Sequence, residues 1–477
     1  RQQSVMAEGG INAALNTKDE NDSPEEHFTD TIKAACGLAD PNAVWGMTQA
    51  APELVHWLLK LGVKFNMSGY DDVDLRNFGG QKKKRTAFAQ SDTGKQIMTA
   101  MIDAVRRKEA SGMVERFSHH SFLTLRLCGN ICCGCVIRDE YSQETVELPG
   151  DAVIVATGGM HGLFGNTTGS LSNTGEVTAE LFRLGVPLAN GEMIQYHPTT
   201  VKCGGKRMLI SEAARGEGGR LFAMKDGKQW YFMEEKYPEL GNLMPRDITA
   251  REIWKVSHES EVFLDMTEIS EEIISNKLSG LADDCMTYLH KDIRKEPVSV
   301  LPGIHYFMGG ILVDEQHRTP IQNLYAAGEC CAQYHGANRL GGNSLLGALY
   351  GGRVAAKSAC EQADVVDLSC ATQIDFPPAS QISEIKQLNK VMQETMGVVR
   401  NENTLLNGIQ TVQALTGNLP LLGMAVLKSA LARKESRGAH WREDYPKSND
   451  DDYLKTTVAR FDGKQIQISF VPVPERR

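Results

Sequence analysis

Two short apolar runs, far apart in the chain and each ending in glycine, constrain the fold more than any other feature. Asp151 to Ala156 (DAVIVA) runs into Thr-Gly-Gly, and Leu324 to Gly328 (LYAAG) has the same form. Such a near-continuous run reads as a buried parallel strand whose exit lets backbone approach something closely. Before the first run, Phe122 to Arg138 and Glu144 to Leu148 read as a meander of strands, while Pro41 to Leu61 and Gly94 to Lys108 are helical by their apolar spacing. Strands mixed with helices make this an α/β chain, and 477 residues predict about two to four domains.

From about Gly191 to Gly303 the composition shifts to charged helical stretches, Pro245 to Ser257 and Ser270 to Leu281. We read this as a domain inserted into the first one. A helical region follows from about Ser383 to Ala432, and the acidic run Ser448 to Asp452 marks a solvated turn.

Hydrophobic residues make up 41% and charged residues 23%, values of an ordinary globular protein rather than a disordered one. Lys+Arg 51 against Asp+Glu 60 gives 51 − 60 = −9, which argues against a general nucleic-acid or anionic-membrane binder. Any anionic ligand must therefore meet a local cationic site, and Gln81 to Arg85 (QKKKR) reads as a solvated loop. No apolar run approaches the ~18 residues of a membrane helix. The longest, near Leu419 to Leu431, is interrupted by Lys428. Eleven cysteines, some adjacent, fit no disulfide framework and point to a reducing compartment. Cys128, Cys132, Cys133 and Cys135 lack zinc-site spacing, so no metal is expected.

His335 to Leu346 (HGANRLGGNSLL) is the most specific motif. It sets Arg339 among small residues that open a helix at about Asn343, so a cation and free N–H groups face one space suited to an anion or a reduced flavin ring. The glycine pair in Ser4 to Leu15 suits backbone lying against a flat ligand. His197 precedes Pro198 in QYHPT, and His305 lies beside aromatics in GIHYFMGG. In SEAARGEGG, Glu212 and Arg215 are spaced to pair on a helical turn that Ser211 can cap. In PRDITAR, Pro245 starts a helix, Asp247 pairs with Arg251, and Arg246 is left to point elsewhere.

The order AEGGINAAL, ATGG, HPTT, SEAARGEGG, PRD, HYFMGG, AAGE, HGANRLGGNSLL and SRGAH resembles the flavoprotein subunit of succinate dehydrogenase and fumarate reductase, from Ser4 to about Pro446. L-aspartate oxidase shares the architecture, but its corresponding loop typically replaces Gly341 and Gly342. The resemblance implies a Rossmann-like FAD-binding domain (1–190 and 304–365), an inserted α+β capping domain (191–303), a helical C-terminal domain (380–450) and a tail (451–477). It implies that a dicarboxylate is held by His197, Ser211, His305 and Arg339, that Arg246 transfers the proton, and that Glu212 and Arg215 reprotonate it. Ser4, Ala7, Glu8, Gly9, Gly10, Ala156, Thr157, Gly158, Glu176, Glu329, Ser344 and Leu345 match FAD contacts. Arginine pairs with a carboxylate bidentately, and the same donors polarise an alkene for hydride from flavin N5.

Four departures from the family pattern matter. Members that attach FAD covalently do so through a histidine where this chain has Gln3, so FAD is expected to be noncovalent, favouring fumarate reduction over succinate oxidation. The family's Gln before the glycine pair is Glu8, and its Asp-Gly after Asn-Thr-Gly is Glu176-Val177. The family's GxGxxG strand-turn-helix would lie before Arg1, so the chain is read as truncated there, with FAD expected of the full-length protein. The expected activity is interconversion of fumarate and succinate. The alternatives are an L-aspartate oxidase, a reductase of another unsaturated dicarboxylate, or a flavin-free docking subunit. An iron-sulfur subunit or another electron donor is the expected partner, in the cytoplasm or at the inner face of its membrane.

Overall fold

The computed structural model describes residues 3–70, 72–170, 172–363, 376 and 381–477, so the expected domain edges at 365 and 380 fall outside the described residues. The helix Pro41–Leu61 shows how local chemistry sets an element. Asp40 accepts hydrogen bonds from the N–H groups of Asn42 and Ala43, Pro41 opens the first turn, and Gly62 ends the helix at φ +102°. Val44, Met47, Ala51, Leu54, Val55 and Leu58 recur at helical spacing and are buried. They pack on the helices Pro24–Ala34 and Asn343–Gln362.

Val153–Val155 and Leu324–Ala326 pair in parallel, as their form suggests, and His120–Cys128, Ile131–Asp139 and Thr145–Pro149 form the antiparallel meander. The first of the two runs is not buried as expected, since Ile154 is 40% exposed. Side chains alternate across a strand, and only the Val155 face meets the apolar cluster of Leu181, Ile311 and Leu324.

Between the parallel strands lie two further sheets. Ile194–Cys203 is central to one, with Lys206–Leu209 and Leu301–Phe307 on its flanks and register shifts on the Leu301–Phe307 side. Arg220–Lys225, Lys228–Trp230, Val262–Asp265 and Val298–Ser299 form the other over a core that includes Ile253, Leu264 and Leu281. The helix Arg246–Val256 is close to its expected span, with Pro245 as its cap rather than inside its first turn. Arg251 does not ion-pair with Asp247; its guanidinium lies 4.0 Å over the Trp441 ring. The stretch Ser270 to Leu281 breaks at Leu278 (φ −127°) into Glu271–Lys277 and Ser279–Asp284, where Leu278 enters the core.

The helices Ile382–Thr395, Glu402–Val412 and Asn418–Ala432 share one apolar core. The segment expected as a tail carries the hairpin Lys455–Phe461 and Ile466–Pro472, which adds to a five-stranded sheet through Leu188–Ala189. The acidic run before it is a helical turn, Asp450–Tyr453, capped by Asn449 and tied to Arg437 through Asp450. QKKKR also differs from expectation. Arg85 is fully buried and pairs with Asp22 and Asp30 at 2.9 and 3.0 Å, while buried Gln81 donates to Asn12 and to the Gly341 carbonyl. Among the described residues nine cysteines are free and Cys128 is disulfide-bonded, which at that residue departs from the expectation of a reducing compartment. Among the described residues no helix is long and apolar enough to cross a membrane.

A buried ionic network explains the SRGAH motif. Arg433 and Glu435, both fully buried, pair at 2.8 Å, Arg433 also reaches Glu192 at 2.7 Å, and Arg437 holds both oxygens of Glu435. Ala439 then donates its N–H to the Ala337 carbonyl at 2.9 Å, two residues before Arg339. The helical C-terminal region thus holds the loop that carries the most specific motif.

Candidate active site

One cavity of about 1030 Å³ collects nearly every predicted site residue. At one part of it stand His197, Ser211, Glu212, Arg246, His305 and Arg339. Their placement follows from the elements described. His197 sits on the central strand Ile194–Cys203 and His305 on its neighbour, with ring centroids 5.1 Å apart. Ser211 caps the short helix Glu212–Gly216, and Arg246 is the first residue of its own helix.

Arg246 is bound on both sides. Its Nε and Nη2 donate to Glu212 Oε2 at 2.8 and 2.6 Å, and Nη1 donates to Gln195 Oε1 at 3.1 Å. Gln195 in turn donates to the Arg339 carbonyl at 2.9 Å, which locks the two arginines into one frame. Behind Glu212, Arg215 lies 3.5 Å away and donates to the Asn242 carbonyl; it is buried and does not line the cavity. Burial alone would raise the Glu212 carboxyl, but the charges of Arg246 and Arg215 and the Gly79 N–H hold it below its ordinary value.

Arg339 differs from Arg246. It is 3% exposed, its guanidinium lies 4.4 Å over the Tyr306 ring, and no described residue hydrogen-bonds it. Burial, reinforced by Arg246, pulls its pKa down to about 9. The same two causes push His197 and His305 well below the ordinary imidazole value, so both rings are neutral near pH 7. His197 Nδ1 lies 3.1 Å from the Thr199 carbonyl and 3.3 Å from the Thr199 N–H, and its Nε2 is buried and unpartnered; His305 Nδ1 is held by Thr168 at 2.8 Å. Unpartnered buried polar atoms beside an enclosed space cost free energy until a ligand satisfies them. The arrangement fits a small anion with more than one carboxylate.

A second part of the cavity wall is made of small residues and backbone: Ser4, Ala7, Gly9, Gly10, Ala156, Thr157, Gly158, Gly328, Ser344 and Leu345, with Glu8 and Glu329. The helix Asn343–Gln362 points its start here after Gly342, whose φ of +84° few other residues adopt and which offers no side-chain cap. A backbone-walled slot ending on an uncapped helix start fits a flat, anionic group such as FAD. Glu176 is the exception. It does not line the cavity, because it starts the helix Glu176–Arg183 after a Gly175 turn, and Asn173 lines the wall instead.

Sequence reasoning missed Tyr306, Gln195 and Thr168, which seat Arg339, Arg246 and His305. Gln195 and Tyr306 stand within the motifs of His197 and His305, Thr168 lies outside any motif, and each partner is remote in sequence. Among the described residues no group of His, Cys, Asp and Glu could hold a metal ion.

An FAD binding domain model matches residues 1–345, and a fumarate reductase flavoprotein C-terminal model matches residues 415–476. The chain is 37% identical to the succinate dehydrogenase flavoprotein subunit of Bacillus subtilis, over 100% of this chain and 92% of that one. It is 32% identical to an L-aspartate oxidase of Nostoc sp., over 96% and 88%. Among solved structures, a variant of E. coli quinol fumarate reductase superposes with a TM-score of 0.89 at 27% identity, over 99% of this chain and 90% of that one.

Proposed function

The chain belongs to the FAD-dependent flavoprotein family of succinate dehydrogenases and fumarate reductases, oxidoreductases that act on CH–CH groups, and on that premise we propose that it interconverts fumarate and succinate. The observation that carries this reading is the pairing of two unlike arginines in one cavity, Arg339 with an open fork and Arg246 already bound to Glu212. Arg339, with His197, His305 and Ser211, grips the two carboxylates. Arg246 delivers the proton to substrate carbon and recovers it through Glu212 and Arg215, a reading supported by the 2.6 Å hydrogen bond from Arg246 to Glu212 and the 3.5 Å ion pair between Glu212 and Arg215. Neutral His197 and His305 polarise the substrate carboxylate without adding a titrating charge. The wall from Ser4 to Gly10, with Ala156 to Gly158, Glu329, Ser344 and Leu345, holds FAD, which supplies hydride chemistry when bound.

The sheets and helices of residues 191–303 act as the cap over an FAD domain of 1–190 and 304–365. With Gln3 in place of a linking histidine, FAD is noncovalent and fumarate reduction is the favoured direction. An iron-sulfur subunit or another electron carrier delivers the electrons. The L-aspartate oxidase reading is second, since a side chain at Gly341 would press on Glu212 and Phe78, at 3.0 and 3.1 Å from its Cβ. FAD-loaded protein whose reduced flavin is reoxidised by fumarate in the absence of air, and whose oxidised flavin is not reduced by aspartate, supports the first reading; reduction of the flavin by aspartate without reoxidation by fumarate rejects it. Full-length protein that takes up no FAD rejects both in favour of a docking subunit.

A further inference from the structure

We infer that the carboxyl group of Glu8 is an acid in the cofactor wall whose protonation is coupled to the redox state of bound FAD. The inference rests on the proposal that the Ser4 to Gly10 wall holds FAD. Glu8 lines the cavity, and its main chain is pinned there. The Glu8 carbonyl accepts from Arg76 Nη2 and from Thr93 Oγ1, each at 3.2 Å. Its carboxyl has no hydrogen-bond partner among the described residues, and Oε2 is sealed from solvent.

The groups that face it come from three other elements. Asp284 ends the helix Ser279–Asp284, Asp92 precedes the helix Thr93–Ala110, and Arg76 lies in the strand Leu75–Arg76. The Cys285 thiol also feels the carboxyl. Arg76 is the single opposing cation among these groups, and its guanidinium lies 4.1 Å over the Phe88 ring and donates to the Glu8 and Gln90 carbonyls rather than to the Glu8 carboxyl. Burial first, then Asp284, pushes the Glu8 carboxyl up to about 8, with Asp92 adding and Arg76 opposing. It is therefore neutral at pH 7 and ionises in an accessible range.

Two electrons entering the flavin bring negative charge into the same enclosed cavity, and a carboxylate in its wall resists that charge. Reduction must then raise the affinity of Glu8 for a proton. From pH about 8 up to the raised value of the reduced state, reduction takes up as much as one proton more than the flavin's own chemistry requires, and that proton forms an O–H bond on the Glu8 carboxylate. Below that pH the carboxyl is already protonated in both redox states and no extra proton moves. A glutamine, which the resemblance places here in the family, has no such proton.

The test is the midpoint potential of the FAD-loaded protein as a function of pH, with electrons from an electrode through mediator dyes. Wild type should show a break near pH 8, above which the reduction equilibrium falls an additional tenfold per pH unit, about 30 mV for a two-electron couple. Glu8→Gln should lack the break. Asp284→Asn removes a cause of the raised value and should move the break to lower pH, an arm that stands if the Gln variant does not fold. A wild-type protein without the break, a break that persists in Glu8→Gln, or one that stays put in Asp284→Asn overturns the inference alone. Protein that binds no FAD overturns the reading beneath it.

Discussion

Replacing Arg339 with methionine should weaken dicarboxylate binding severely while leaving the fold intact. The guanidinium is 3% exposed and unpartnered, so the fold already bears its desolvation, and the open fork is free to meet a carboxylate. A charge-assisted hydrogen bond contributes roughly 1.5–3 kcal/mol, and a bidentate contact about 2–4 kcal/mol. At about 1.4 kcal/mol per tenfold, affinity for malonate or succinate should fall by about 30-fold to about 1000-fold. Stability should change by no more than about 1 kcal/mol, because loss of the cation–π contact with Tyr306 is offset by removing an unpaired buried charge. Calorimetric titration of malonate into FAD-loaded protein, with urea unfolding as the control, measures both. A Kd within threefold of wild type would refute the clamp, and a collapse in stability would refute the claim that the guanidinium is spare.

Arg246→Ala or Arg246→Lys should abolish turnover while fumarate affinity stays within roughly tenfold, since the hydrogen bonds of this arginine are already taken by Glu212 and Gln195. A variant with wild-type turnover would remove Arg246 from the mechanism. Because Arg339 titrates at about 9, its cation, and with it malonate affinity, is complete below that pH and should decline above it; affinity that holds to pH 11 would argue against the clamp. Glu435→Ala leaves Arg433 and Arg437 without their shared carboxylate, and should lower stability by about 3–5 kcal/mol in urea unfolding; a loss below about 1 kcal/mol would mean that the network is dispensable. Acid precipitation of FAD-loaded protein should release yellow flavin to the supernatant, because Gln3 offers no imidazole; flavin that remains with the pellet would contradict noncovalent binding.

Local patterns in the chain determined the elements and the chemistry of the site. The helix Pro41–Leu61 is legible from its cap, proline and glycine, and the parallel pairing of Val153–Val155 with Leu324–Ala326 from two like apolar runs. His197, Ser211, Glu212, Arg246, His305 and Arg339 are each marked by motifs, since their neighbours must cap a helix, hold a ring rigid or admit close backbone. Only the tertiary structure decided which of two buried arginines is free. Arg246 and Arg339 look alike as residues, yet one meets Glu212 and Gln195 and the other an aromatic face, because the partners arrive from distant strands and helices. The same reason hid the rest. The burial of Arg85 depends on Asp22 and Asp30, the hairpin in the last residues on Leu188–Ala189, and the departure of Glu176 from the cavity on a turn at Gly175. Charge, burial and pairing are properties of what surrounds a side chain, and in this chain the surroundings are assembled from elements far apart in sequence.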